Sequence, residues 1–174
     1  DCHTHLTFRG DGSSLEETMG DSDEVMVLLG ARNASRALHA GVTTLCDNGG
    51  RGSTTFSIKE VIGREYVVGP RVLLSGRPIT VTGGHCWPLG GEADGVDAVR
   101  TAVRQLVKEG ADWIKVMATG GGTKGTVGHQ ASYTLDELCA IVEEAHSFDR
   151  WVGAHCTGLA AMERLLDAGV DMIY

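Results

Sequence analysis

Three segments of the chain repeat one pattern, and this repeat constrains the fold more than any other feature. In each segment a helix-like stretch ends at a glycine, and a short apolar run follows at once. The segments are 38–45, 107–114 and 166–173, with glycines at Gly41, Gly110 and Gly169. Glycine is favoured there because it adopts the left-handed conformation that ends a helix. The repeat therefore predicts helices that are followed directly by strands.

The rest of the chain carries matching signals for helices and strands in alternation. Ser22 or Asp23 is a plausible N-cap for one helix, and Thr134-Leu-Asp-Glu137 is a capping box for another. Apolar residues at helical spacing follow both caps. We expect strands near 1–5, 42–47, 70–76, 111–117, 151–155 and 170–174, and helices near 24–40, 54–66, 94–109, 134–149 and 158–168.

Strict alternation of strands and helices predicts a parallel sheet built through right-handed crossovers. A flavodoxin-like open sheet and a (β/α)8 barrel both satisfy this order. No phosphate-binding fingerprint follows the first strand, and the candidate ligands fall at strand C-terminal ends, where barrel enzymes carry out their chemistry. We expect a (β/α)8 TIM barrel of the α/β class. A full barrel needs about 200 residues or more, so residues 1–174 are expected to be its N-terminal part, five βα units plus strand six.

Composition excludes several classes of partner. The net charge is −8 and no run of basic residues occurs, so nucleic acid is not an expected partner. No stretch approaches the ~20 apolar residues of a membrane span, and no secretory signal is visible. The five cysteines are odd in number and include no Cys-x-x-Cys pair, which favours reduced thiols in the cytoplasm.

Histidines at predicted strand ends are candidate metal ligands. His3 and His5 are two residues apart on an extended segment, so both side chains project from one face. Such a pair either binds one ion or lies as two polar residues on an exposed strand. His155 ends a later predicted strand, where it is either a hydrogen-bonded core residue or a further ligand.

Lys115 lies among apolar residues of the predicted strand 111–117. A buried ammonium is costly unless it is paired. One interpretation pairs Lys115 with an acid such as Asp47. The other converts Lys115 into a carbamate, an anion with two donor oxygens that can bridge two divalent ions.

Four motifs resemble the amidohydrolase superfamily, and its imidazolonepropionase-like and Xaa-Pro dipeptidase-like metal-dependent hydrolases in particular. The resemblance implies a binuclear, usually zinc, centre that activates a water to hydrolyse amide, peptide-like or cyclic amide C–N bonds. His3 and His5 would bind one ion, a CO2-derived carbamate on Lys115 would bridge both, and His155 would bind the second. The motifs are Asp1-Cys-His-Thr-His5, Gly41-Val-Thr-Thr-Leu-Cys-Asp47, Trp113-Ile-Lys-Val-Met-Ala-Thr-Gly-Gly-Gly122 and Gly153-Ala-His-Cys156.

The chain departs from the family pattern at its C-terminal end. The family places Glu-His on strand six, where this chain reads Met172-Ile-Tyr174 and stops. The strand-eight aspartate, a metal ligand and proton carrier in the family, lies beyond the chain. We therefore expect hydrolase activity in a longer parent protein, as a homo-oligomer, and none in this segment alone.

Loop residues supply candidate substrate contacts. His85, among glycines in the third loop, is either a catalytic substrate contact or a solvated histidine, and Trp87 either walls the pocket or covers the rim. His129 and Tyr133 in the fourth loop are weaker candidates for facing substrate. A dipeptide, an N-acyl amino acid or a lactam-like ring would suit the site.

The run from Thr119 to Thr126 resembles a phosphate cradle but does not match the P-loop pattern, and we interpret it as a mobile loop over the site. The alternative function is a non-catalytic phosphate-ligand or interaction module.

Overall fold

Strands and helices alternate along the chain, and the computed structural model describes all residues from 1 to 174. A single 3-10 turn spans Trp87–Leu89. The elements in chain order are α1 (Leu15–Thr18), α2 (Asp23–His39), β1 (Thr44–Asp47), α3 (Thr54–Gly63), β2 (Arg71–Leu74), α4 (Val96–Glu109), β3 (Ile114–Met117), α5 (Leu135–Ser147), β4 (Val152–His155), α6 (Leu159–Ala168) and β5 (Met172–Ile173).

The strands pair in parallel in two groups, β1 with β2 and β3 with β4 with β5. A single bridge between Ile79 and Val116 connects the segment after β2 to β3. The predicted α/β class with parallel strands is therefore confirmed, and the described residues form two small sheets rather than a closed barrel.

Helix boundaries follow the predicted caps. Ser22 accepts a hydrogen bond from the Val25 amide at the start of α2, and Thr134 and Glu137 form the predicted capping box of α5. Gly110 and Gly169 end α4 and α6 with φ of 99° and 76°, values that glycine adopts without strain.

Two predicted elements need correction. Residues 1–5 do not form a regular strand. Asp1 and Thr4 both bond to the backbone of β1, but these bonds make a single bridge, between Thr4 and Asp47, before the chain turns through a bond from the Phe8 amide to the His5 carbonyl. The helix predicted over 54–66 ends at Gly63, and Glu65 then adopts a left-handed φ of 61° that no helix can contain.

Apolar side chains pack in two main layers behind the sheets. The larger core lies between β3, β4 and helices α4 to α6, and the smaller one joins α2 and α3 to β1 and β2. Half-buried Phe56 contacts both cores. Because the helices cover one face of each sheet, the opposite face of the strands is left for polar groups. No helix has the length and apolar character needed to cross a membrane.

Two aspartates form backbone clasps, in which the amide and carboxylate of the aspartate pair with one residue of the preceding strand. The Asp112 amide donates to the Leu74 carbonyl at 2.8 Å, and the Asp112 carboxylate accepts the Leu74 amide at 2.8 Å. Asp171 makes the same pair of bonds with Val152, at 3.1 and 2.7 Å. Both aspartates stand two residues after the glycine of the repeat, so the repeat also specifies this contact.

Candidate metal and substrate site

Five predicted site residues line one cavity of about 210 Å³. Lys115 and His155 come from β3 and β4, whose parallel register places Met117 beside His155. The N-terminal segment and the loop after β2 supply the others. The five residues are His3, His5, His85, Lys115 and His155. A larger groove of about 580 Å³ runs along α4 and contains none of them.

Lys115 is buried, with 1% of its surface exposed, and has no acidic partner. Its Nζ lies 3.3 Å from Oδ1 of Asn48 and 4.0 Å above the ring of Tyr174. Burial lowers the pKa of Lys115 to about 7. The ammonium of Lys115 is therefore easily lost near neutral pH.

Asp47 does not pair with Lys115, which rules out that interpretation of the buried lysine. The Asp47 carboxylate instead accepts the amides of Leu6 at 2.8 Å and Gly49 at 3.1 Å. Burial raises the pKa of Asp47 to about 6, although both amides favour its charged form. These bonds fasten the N-terminal segment to β1 and place His3 and His5 at the cavity.

Backbone carbonyls orient two of the histidines. Nδ1 of His5 lies 3.0 Å from the Gly49 carbonyl, and Nε2 of His155 lies 3.0 Å from the Gly120 carbonyl. Since a carbonyl only accepts, these nitrogens carry the hydrogens and the opposite nitrogen of each ring keeps a free lone pair. Burial lowers the pKa of both rings, so both are neutral at pH 7. Metal-binding histidines are typically held in this way.

His3 completes the candidate ligands. Its ring lies 5.5 Å from that of His5 and 4.5 Å from that of Tyr174, between centroids. Burial, followed by the Lys115 charge, lowers the pKa of His3 to about 4. No three histidine, cysteine or acidic side chains converge on one point by themselves. The three imidazoles are therefore neutral donors that fit a divalent ion. Such an ion would still need an anionic ligand, which a modified Lys115 would supply.

His85 faces the same cavity from the loop after β2. Its ring centroid lies 4.6 Å from that of His155, and its Nδ1 lies 2.8 Å from Oγ1 of Thr123. Burial, then the charge of His155, lowers the pKa of His85 to about 4. His85 is therefore a neutral group beside the candidate ligands.

The structure does not bring the other three predicted substrate contacts to the cavity. Trp87 begins the 3-10 turn with 44% of its surface exposed, and His129 is exposed on its loop. Tyr133 is buried in the larger core, where its hydroxyl donates to the Ala93 carbonyl at 2.9 Å. Its ring is apolar enough to join that core, and the carbonyl satisfies its one donor.

Sequence reasoning missed Asn48 and Thr123. Asn48 follows Asp47 at the end of β1, so its place after a strand was a usable signal. Thr123 contacts His85 across 38 residues, and nothing local in the sequence indicates that contact.

The chain matches the family model for the amidohydrolase family over residues 1–173. It is 32% identical to ochratoxinase from Aspergillus niger, over 97% of this chain and 40% of that protein. The chain thus spans well under half the length of this curated relative.

Solved structures share the fold at similar identity. A Xaa-Pro dipeptidase with methionine bound in its active site superposes with a TM-score of 0.88 at 30% identity, over 99% of this chain and 46% of that one. The A. niger ochratoxinase structure superposes with a TM-score of 0.87 at 30% identity, with the same coverage. The match over nearly all residues, and the cavity that holds the family's motifs, lead to one conclusion: the chain belongs to the amidohydrolase family.

Proposed function

We propose that the chain is part of a metal-dependent hydrolase that cleaves C–N bonds of the amide, peptide-like or cyclic amide type. One observation carries this proposal: four neutral histidines and a buried lysine without an acidic partner line the same cavity. The names of the relatives, a dipeptidase and an ochratoxinase, support hydrolysis. We further infer that residues 1–174 form the first part of a (β/α)8 barrel domain.

Four side chains would hold two divalent ions. His3 and His5 would bind one ion, His155 the other, and a carbamate on Lys115 would bridge the two. Ions bound there would lower the pKa of water and polarise a carbonyl oxygen. Neutral imidazoles and an oxygen anion suit zinc, among other metals.

Lys115 is suited to carbamate formation because its amine is not held as an ammonium. A pKa of about 7 leaves much of the amine unprotonated at neutral pH. The free amine attacks the carbon of CO2, a C–N bond forms as one C=O π bond opens onto oxygen, and one proton passes from the nitrogen to solvent. The product keeps one N–H on Nζ, which can still donate to Oδ1 of Asn48, 3.3 Å away.

His85 would contact the substrate. It is neutral, it lines the cavity, and it lies on the loop after β2, where its Nδ1 contacts Oγ1 of Thr123. We therefore assign it to a substrate oxygen rather than to a metal ion. A small substrate such as a dipeptide, an N-acyl amino acid or a lactam-like ring would suit the cavity.

Metal analysis combined with a hydrolysis assay tests the proposal. We expect about two divalent ions per chain in the full protein, and cleavage of at least one substrate from a panel of these three classes. Chelation should abolish cleavage, and added metal should restore it. A metal-free protein that is inert on the whole panel would contradict the proposal and favour the non-catalytic phosphate-ligand or interaction module, which the comparisons do not support. Zinc, homo-oligomerisation and a cytoplasmic location stay predictions from the sequence.

A further inference from the structure

The glycine-rich loop between β3 and α5 encloses the ring of His85. A Cβ atom on Gly121 would lie 2.6 Å from Cδ2 and Nε2 of His85, closer than real Cβ contacts. Glycine at this position therefore lets the loop backbone lie against the imidazole. The sequence suggests a mobile cover here, whereas the structure shows a loop in direct contact with His85.

Thr123 in this loop binds the Nδ1 edge of the ring twice. Its Oγ1 lies 2.8 Å from Nδ1 of His85, and its backbone amide lies 3.4 Å from the same nitrogen. The Cys86 amide donates to Oγ1 of Thr123 at 2.9 Å. Cys86 itself adopts a left-handed φ of 62° beside this contact.

These contacts determine which nitrogen of His85 carries the hydrogen. A backbone amide can only donate, so Nδ1 of His85 must accept from Thr123. Oγ1 of Thr123 already accepts from Cys86, and its own hydrogen is free to point at Nδ1 as well. A neutral imidazole whose Nδ1 accepts carries its hydrogen on Nε2.

We propose that Thr123 is a positioning residue that holds His85 as the Nε2–H tautomer, so that His85 presents a hydrogen-bond donor to an acceptor oxygen of the substrate. The substrate part of this inference rests on the proposed function. The other partner near Nε2 is Sγ of Cys86 at 3.6 Å, a weak acceptor that a carbonyl or carboxylate oxygen would replace.

The tautomer matters because the two forms act oppositely on an oxygen. Nε2–H stabilises negative charge that develops on a carbonyl oxygen during attack by water. The other tautomer would turn a lone pair toward the same oxygen and repel it. Thr123 therefore acts on the reaction through His85 and touches no substrate atom itself.

Two substitutions at Thr123 separate this role from a structural one. Thr123→Val removes the hydroxyl at nearly constant volume, and Thr123→Ser keeps it. Nitrogen-15 NMR of histidine-labelled full-length protein, with His85→Gln to assign the signal, reports the tautomer without any substrate. We expect a single Nε2–H form in the parent and in Thr123→Ser. In Thr123→Val the 2.8 Å hydroxyl contact is lost and the longer amide contact of 3.4 Å remains, so we expect exchange with the Nδ1–H form.

Kinetics supply the second readout. In Thr123→Val we expect kcat to fall by about 10-fold with KM changed little, the scale for residues that orient another side chain. Thr123→Ser should stay close to the parent. A parent His85 protonated on Nδ1, or a Thr123→Val variant with the parent tautomer, would overturn the inference. A parent protein that shows the Nε2–H tautomer but hydrolyses no substrate would instead overturn the proposed function alone.

Discussion

Oδ1 of Asn48 lies 3.3 Å from Nζ of Lys115 and gives that amine an acceptor without a counter-charge. The Asn48 amide nitrogen is itself tied to the carbonyls of Cys2 and Cys46, at 3.3 and 3.2 Å, so the oxygen has to face the lysine. A carboxylate here would form an ion pair and keep Lys115 protonated. An amide leaves the nitrogen free to react with CO2.

Lys115→Ala should remove both metal and activity. Without the nitrogen no carbamate can form, and the ions lose their bridging anion. We expect metal content, measured by elemental analysis, to drop below one ion per chain and hydrolysis to disappear, with partial rescue by bicarbonate and a short carboxylic acid. Lys108→Ala, an exposed lysine on α4, is the matched control and should keep both. Full metal and activity in Lys115→Ala would exclude the carbamate.

The stability of the metal-free protein should rise with pH because of Lys115. Its folded pKa of about 7 lies below the ordinary lysine value of 10.5, so the unfolded chain binds the extra proton between these values. The penalty for the buried charge is complete below pH 7 and is relieved as the pH rises toward 10. It amounts to ~5 kcal/mol at ~1.4 kcal/mol per pKa unit.

Denaturant unfolding in CO2-free buffer measures this effect as a difference between parent and Lys115→Met. The parent should gain stability relative to the variant across pH 7–10. Parallel curves would mean that Lys115 is not buried as an unpaired amine.

His85→Ala should lower catalysis and leave the metal in place. Loss of one polar contact to the transition state lowers kcat/KM by ~10²-fold. Elemental analysis should find the parent metal content. His39→Ala, an exposed histidine near the end of α2, serves as the control with parent kinetics. Loss of one ion in His85→Ala would make His85 a ligand instead.

Asp112→Ala should destabilise the protein by ~1–3 kcal/mol, because the Leu74 amide would lose its acceptor. The ion pair of Asp112 with Lys59, at 2.7 Å, is partly exposed and adds little. Thermal or urea unfolding measures the change. Asp149→Asn, an exposed aspartate with a left-handed φ of 54° that asparagine also adopts, should stay near the parent. Equal stability of both variants would show that the clasp is dispensable.

Residues 1–174 in isolation should self-associate and hydrolyse nothing. Leu159 and Leu166 on α6 are 72% and 67% exposed and lie on one helix face with Met162. Sedimentation should show aggregates or oligomers that the double variant Leu159→Glu, Leu166→Lys reduces. Tyr66→Ser, at a loop position 72% exposed, should not reduce them. A monodisperse, active monomer with two ions would contradict this expectation.

Local signals were enough to predict most of the fold. Helix caps and terminal glycines are recognised within a few residues, because they satisfy the first and last backbone groups of a helix locally. The same local order placed Lys115 within a strand and His155 at the C-terminal end of the next, where the structure has them. The predicted first strand failed because its partner, β1, lies far along the chain and the segment forms a single bridge to it, at Thr4, before the chain turns.

Long-range contacts account for the site residues that sequence could not assign. Tyr133 stands in a loop rich in glycine, yet its hydroxyl is buried and donates to the carbonyl of Ala93, 40 residues away. Asn48 and Lys115 are 67 residues apart and meet only through the tertiary fold. No periodicity or spacing within the sequence carries that information.

The clasps of Asp112 and Asp171 belong to the part of this fold that must stay constant. The loops at the cavity are the part that can evolve. Each clasp ties the preceding strand, at Leu74 or Val152, to the residues that lead into the next strand. The loops at the cavity end differ greatly in length, with residues 118–134 after β3 and 156–158 after β4. Insertions or exchanges in those loops would leave the positions of Lys115 on β3 and His155 on β4 unchanged. Substrate preference can therefore diverge among relatives while the residues proposed to bind metal keep their positions.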